Sequence, residues 1–188
     1  GFSFSGYERD LLAINLGEAG FLDVSGVSGA DSITDGRGSI FADFDNDGDL
    51  DIFLRAMHGP AHLLLRNNIG QDANWIRIAL RGTASGPDAY GAVVRVQTAA
   101  GPRTKLLSGG SGFLSQSDRR LLFGLGDQEA VDSIEVTWPS GRRQSLAGAP
   151  AGDSLLIVEG EERAQLLTEV RGRLPDPLKA EDLAWRQL

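Results

Sequence analysis

The sequence has no cysteine, two histidines and one methionine in 188 residues. Without cysteine there are no disulfides, no zinc–thiolate sites and no thiol nucleophile. That absence assigns no compartment, because secreted bacterial proteins often lack cysteine. No apolar run approaches the ~20 residues a membrane span requires. Basic residues are in deficit: 18 Lys and Arg against 26 Asp and Glu give a net charge of −8. An acidic surface repels phosphate backbones and anionic lipid, so nucleic acid and membrane surfaces are poor partners. The chain opens on Gly1 with no signal-peptide pattern, so the expectation is a processed chain or a fragment.

Glycine is abundant, 25 residues, and shows no collagen period. It points to many turns and many short strands. Residues 1–68 carry short apolar runs between Gly, Ser and Asp: 11–16, 21–24, 38–42, 52–54 and 62–65. Residues 69–160 alternate with a period of two. Ile76, Ile78 and Leu80 share one strand face; Val94, Val96 and Thr98 share another; Ile134, Val136 and Trp138 a third. Pro139-Ser140-Gly141-Arg142 spells a turn, and Ser154 to Val158 reads as the last strand. Residues 161–188 change period. Leu166, Leu167, Val170 and Leu174 fall on one helical face over 161–174, before Pro175 and Pro177. The expectation is an all-β fold, a β-sandwich preceded by a strand-rich region and ended by a short helix. Beyond that helix, Leu183, Trp185 and Leu188 either dock on their own sandwich or grip a partner chain.

The most specific chemistry is Asp43-Phe44-Asp45-Asn46-Asp47-Gly48-Asp49-Leu50-Asp51. Five carboxylates in nine residues repel one another unless a cation neutralises them. Ca²⁺ takes 6–8 oxygens, and alternate positions of a tight loop converge on one point. The reading assigns side-chain ligands to Asp43, Asp45, Asp47 and Asp51 and a backbone carbonyl to Asp49, with Gly48 allowing the sharp turn. An EF-hand needs Glu at loop position 12, which here is Leu54. Mg²⁺ is disfavoured because it keeps most of its waters.

On these residues, 38–54 resembles an FG-GAP or VCBS repeat, the calcium-loop blade of propeller proteins. The stretch C-terminal to it resembles the ASPIC/UnbV domain of the cartilage acidic protein family. That match is carried by Asn74-Trp75 with Leu80, by 91–96, by Gly112-Phe113-Leu114-Ser115-Gln116-Ser117, by Phe123-Gly124-Leu125-Gly126 and by Val136-Thr137-Trp138-Pro139-Ser140-Gly141. The resemblance implies an extracellular, calcium-binding protein engaged in protein contacts, with no established catalysis. One calcium loop cannot close a propeller, so only a partial blade is expected.

Other candidates are weaker. His58 and His62 flank Gly59-Pro60, which forbids the helix that would pair them as metal ligands. Gly109-Gly110-Ser111-Gly112 lacks the Lys-Ser/Thr of a phosphate loop. Ser115, Ser117 and Ser140 have no evident His and carboxylate partners. Asp127 and Glu129 read as solvated surface rather than a glycosidase pair. Trp75 has an outward alternative and could stack on a sugar or a partner. The function expected is a secreted, cell-surface or periplasmic interaction module, or a subunit of an extracellular assembly, with structural calcium and no catalytic residues. A carbohydrate-binding module is the alternative, and a cryptic hydrolase is disfavoured.

Overall fold

The computed structural model describes residues 8–34, 36–56, 62–70 and 72–168. The N-terminal part opens on a short hairpin, β1 (Ala13–Asn15) with β2 (Phe21–Asp23), followed by one helical turn, α1 (Ser25–Ser28). Next come β3 (Gly36–Ala42), β4 (Asp51–Ala56) and β5 (Leu63–Leu65), which form an antiparallel three-stranded sheet in that order. The aspartate run is the connection between β3 and β4.

Two four-stranded sheets make up the rest. One has the order β11 (Arg143–Pro150), β10 (Ala130–Thr137), β7 (Val93–Thr98), β8 (Gly101–Leu106) and is antiparallel throughout. The other has the order β13 (Gln165–Leu166), β12 (Ser154–Val158), β6 (Asn74–Arg81), β9 (Leu121–Gly126), with β12 parallel to β6. Among the described residues no sheet closes into a barrel. The fold is nearly all β.

Both larger sheets feed one apolar cluster. Ile76 and Ile78 from β6, Phe123 and Leu125 from β9 and Ile157 from β12 meet Val94, Val96, Ile134 and Val136 of the other sheet. The period-two readings at β6, β7 and β10 each place their apolar face in this cluster. Trp138 is buried there too, and its indole N–H donates to Gln144 Oε1 at 2.9 Å. The turn after it closes as expected: Gly141 has φ +87° and its N–H donates to the Trp138 carbonyl.

One expectation fails. Over residues 161–168 there is no helix; Gln165 and Leu166 pair antiparallel with Leu156 and Leu155 as strand β13. The cause is a free strand edge. β12 has β6 on one side only, and the chain beyond it satisfies the backbone groups of its other side. Leu166 is two-thirds exposed, so its apolar spacing marks no buried helical face. The remainder of that helix, and Leu183, Trp185 and Leu188, lie outside the described residues.

Glu159, just past β12, ties its own segment to two other connections, β6–β7 and β10–β11. It accepts hydrogen bonds from the N–H groups of Thr83 and Ser85 and from the hydroxyls of Ser85 and Ser140. Burial raises its pKa, but these donors outweigh burial and take it down to about 2, from an ordinary 4.5. A depressed carboxylate contributes stability that is whole above pH 4.5 and lost as the pH falls towards 2. Glu159→Gln is therefore expected to lie below the wild type in stability above pH 4.5. The gap should close by pH 2 in urea titrations, and a gap that persists at pH 2 would show that the carboxylate charge is not what matters.

Candidate metal centre

The loop between β3 and β4 turns twice through left-handed backbone, at Asn46 (φ 57°) and Gly48 (φ 103°). Asn tolerates that region better than most residues, and Gly enters it without a Cβ clash. The turns fold the carboxylates inward. Asp43, Asp45, Asp49 and Asp51 are all buried, each 6% exposed or less, while Asp47 lies nearer the surface. One oxygen from each of Asp43, Asp45 and Asp51 lies within 4.8 Å of the other two.

Backbone donors hold two of these carboxylates. Asp43 accepts from the N–H groups of Asp47 (3.0 Å) and Gly48 (2.9 Å). Asp51 accepts from Phe44 (3.1 Å) and from Asn67 (2.8 Å), which lies just past β5. Two guanidinium groups enter the cluster as well. Arg77 forms an ion pair with Asp43, both side chains 2% exposed or less. Arg66 reaches Asp45 at 3.0 Å and Asp47 at 3.9 Å, and a third of its side chain is exposed.

These contacts leave a deficit. Asp45 Oδ1 and both carboxylate oxygens of Asp49 are buried with no hydrogen-bond partner. A buried, unpaired carboxylate is costly, so it resists ionisation. Burial, then Asp47 and Asp51, push Asp49 up to about 7; the nearby Gly70 amide pulls it down only partly, without a well-aligned hydrogen bond. Asp45 is also raised, by burial and then by Asp47 and Asp51, against the pull of Arg66. Burial raises Asp51, and the Asn67 and Phe44 amides partly offset it. Hard oxygen donors, converging and short of positive charge, are the donor set a Ca²⁺-sized cation takes.

The floor of the site is β6. Its apolar face, Ile76, Ile78 and Leu80, belongs to the core, while its reverse face carries Trp75 and Arg77 to the loop. Trp75 is half-buried, and its indole lies so close to Gly48 that a Cβ there would collide with the ring. The Arg77 guanidinium lies over the Trp75 ring, 4.9 Å from its centroid. Arg77 and Arg120 both donate to Asn46 Oδ1 at 3.3 Å. Sequence reasoning misses Arg66 and Arg77. The only available signal is a tryptophan beside an arginine on the supposedly outward face of a strand. Trp75, expected to bind a partner, also lines a cleft of about 390 Å³ with Asp47, Arg66, Asp72 and Asn74.

The weaker candidates stay apart. His62 Nε2 meets Arg55, and His58 lies outside the described residues. Ser111, Ser115 and Ser117 bond one another or nearby backbone at a turn that exposes Phe113 and Leu114. Among the described residues, the aspartate loop is the only cluster with metal-ligand geometry.

A nearly all-β chain with an acidic, arginine-clamped loop is the class these observations define, and part of it is similar to a known family. Residues 82–164 match the family described as ASPIC and UnbV. The match begins immediately after β6 and takes in β7 to β12. The relatives are named cartilage acidic protein 1. The chain is 41% identical to that of Mus musculus over 136 residues, 70% of this chain and 21% of the relative. To that of Homo sapiens it is 41% identical over 113 residues, 58% of this chain and 17% of the relative. The chain thus spans about a fifth of the length of these relatives.

Proposed function

We propose that this chain is a calcium-stabilised binding module, secreted or displayed outside the cell, and not an enzyme. The observation that carries the calcium reading is the set of buried carboxylate oxygens without partners at Asp45 and Asp49. Asp43, Asp45, Asp47 and Asp51 would hold the ion through side chains and Asp49 through its backbone carbonyl, the unpartnered Asp49 carboxylate adding to the demand for positive charge. Its double positive charge would offset the carboxylate excess left by Arg66 and Arg77. The residues around it do the structural work. The Asp47 and Gly48 amides aim Asp43, the Phe44 and Asn67 amides aim Asp51, and β6 bears the loop on its reverse face.

The two larger sheets, drawing on one core, fit a β-sandwich of the ASPIC/UnbV kind. The three-stranded sheet with its acidic loop fits a single FG-GAP or VCBS blade packed beside it. No helix among the described residues is long and apolar enough to cross a membrane. A role in protein contacts, with another chain or another copy, draws support from exposed Leu11, Phe113 and Leu114 on the surface. One edge is already covered locally, because the Phe41 N–H donates to Ser117 Oγ and the Phe41 carbonyl accepts from the Asp118 N–H. Carbohydrate binding is the second reading, supported by the cleft that Trp75 shares with Asp72 and Asn74.

Calcium at about 100 times its dissociation constant adds roughly 2.7 kcal/mol to the folded state. For a chain of this size that is a rise of about 5–10 °C in Tm. Thermal melts with calcium and with a chelator should differ by that much. Equal midpoints at confirmed calcium saturation would show that the ion is not structural, and no binding by calorimetry would remove it altogether.

A further inference from the structure

We infer that Arg66 is a tethered counter-cation that competes with the metal for Asp45 and Asp47 and sets the affinity of the loop. The inference rests on the calcium reading above and concerns a residue outside the aspartate run.

The two arginines of the site differ in kind. Arg77 is 1% exposed, sits on a core strand and is engaged by Asp43, Asn46 and the Trp75 ring. It has nowhere to go when an ion arrives. Arg66 comes directly after the short edge strand β5, and its side chain is 32% exposed. Its ion pairs go to Asp45, at 3.0 Å, and to Asp47, at 3.9 Å. Both acids belong to the proposed ligand set. Asp45 Oδ2 holds Arg66 while Oδ1 is bare and buried.

A divalent cation entering the loop claims Asp45 through its bare oxygen and repels the guanidinium beside it. Arg66 must then release Asp45 and Asp47. The cleft of about 390 Å³, whose wall Arg66 forms with Asp72 and Asn74, gives the side chain room to turn into. In the metal-free protein the guanidinium supplies part of the missing positive charge and keeps the loop folded. The same charge weakens the ion's hold.

The test is calcium titration of the full chain by calorimetry, wild type against Arg66→Ala and Arg66→Lys. Arg66→Ala should bind calcium about tenfold more tightly, the effect of removing one nearby like charge. It should also melt at a lower temperature than the wild type in chelator. Arg66→Lys keeps the charge and should stay near the wild-type affinity. Should Arg66→Ala fail to fold without metal, the wild type supplies the second readout. The Arg66 Nε–H resonance should move on calcium saturation, and a resonance that stays in place overturns the inference. Equal or weaker calcium binding by a folded Arg66→Ala overturns it too, while leaving the calcium reading intact. No calcium binding by either protein overturns both, and binding by Arg66→Ala alone is the extreme form of the competition.

Discussion

Arg77→Leu is expected to cost the metal-free protein about 3–5 kcal/mol, the range for removing one partner of a buried ion pair. Asp43 would be left 1% exposed as a side chain without its guanidinium, and Asn46 would lose one of its donors. Leucine fills comparable space on β6, so lost packing accounts for little of the change. Calcium should recover part of the loss, because the ion supplies positive charge at the same carboxylate. Arg95→Leu, on the exposed face of β7, is the control and should stay within about 0.5 kcal/mol. Urea unfolding in chelator and in calcium reads all four values. An Arg77→Leu protein as stable as the control in chelator would show that Asp43 needs no counter-charge.

Gly48→Ala should be nearly as damaging, by a different route. The backbone at φ 103° costs an alanine about 1–2 kcal/mol. The added methyl also meets the Trp75 indole, a rigid neighbour, and overpacking of this kind costs about 1–3 kcal/mol more. Since the ring has to move, the Trp75 fluorescence should change along with the midpoint. The double substitution Gly48→Ala with Trp75→Ala separates the two contributions. Removing the ring should relieve the collision and leave only the backbone strain. A single Gly48→Ala substitution with unaltered emission and midpoint would mean that the loop does not rest on Trp75.

Sequence reasoning succeeds where a local pattern has a local cause. Alternation at β6, β7 and β10 reflects one buried face per strand, and the bounds Ser154–Val158 of β12 are legible because Gly152 and Gly160 bracket an apolar run. The aspartate loop is legible because its carboxylates all fall at alternate positions within nine consecutive residues. The features that escape come from far along the chain. Arg77 meets Asp43 across 34 residues, and its one local signal, Trp75 on the same strand face, fits an exposed position equally well. It occupies the strand position where a solvated arginine would also stand, and only the loop laid over it makes the difference. Strand β13 escapes for a related reason. The spacing of Leu166, Leu167, Val170 and Leu174 is helical, but the unmet hydrogen bonds of β12 decide the outcome over 165–166. Local periodicity does not register an open edge.

The partners of β6 also set an order of events. Its two neighbours in the sheet are β9, at residues 121–126, and β12, at 154–158, so both pairings close long stretches of chain. Such closures are slow compared with forming a hairpin. During synthesis the aspartate loop leaves the ribosome before β9 and β12, and the strand that bears it has no complete sheet to join until β12 has emerged. Through that interval five carboxylates share a loop with no fixed floor beneath them. The carboxylate pocket is therefore completed by strands that follow it at a distance, and a stop codon about a hundred residues downstream of Asp51, ahead of β12, would dismantle it as surely as the loss of an aspartate.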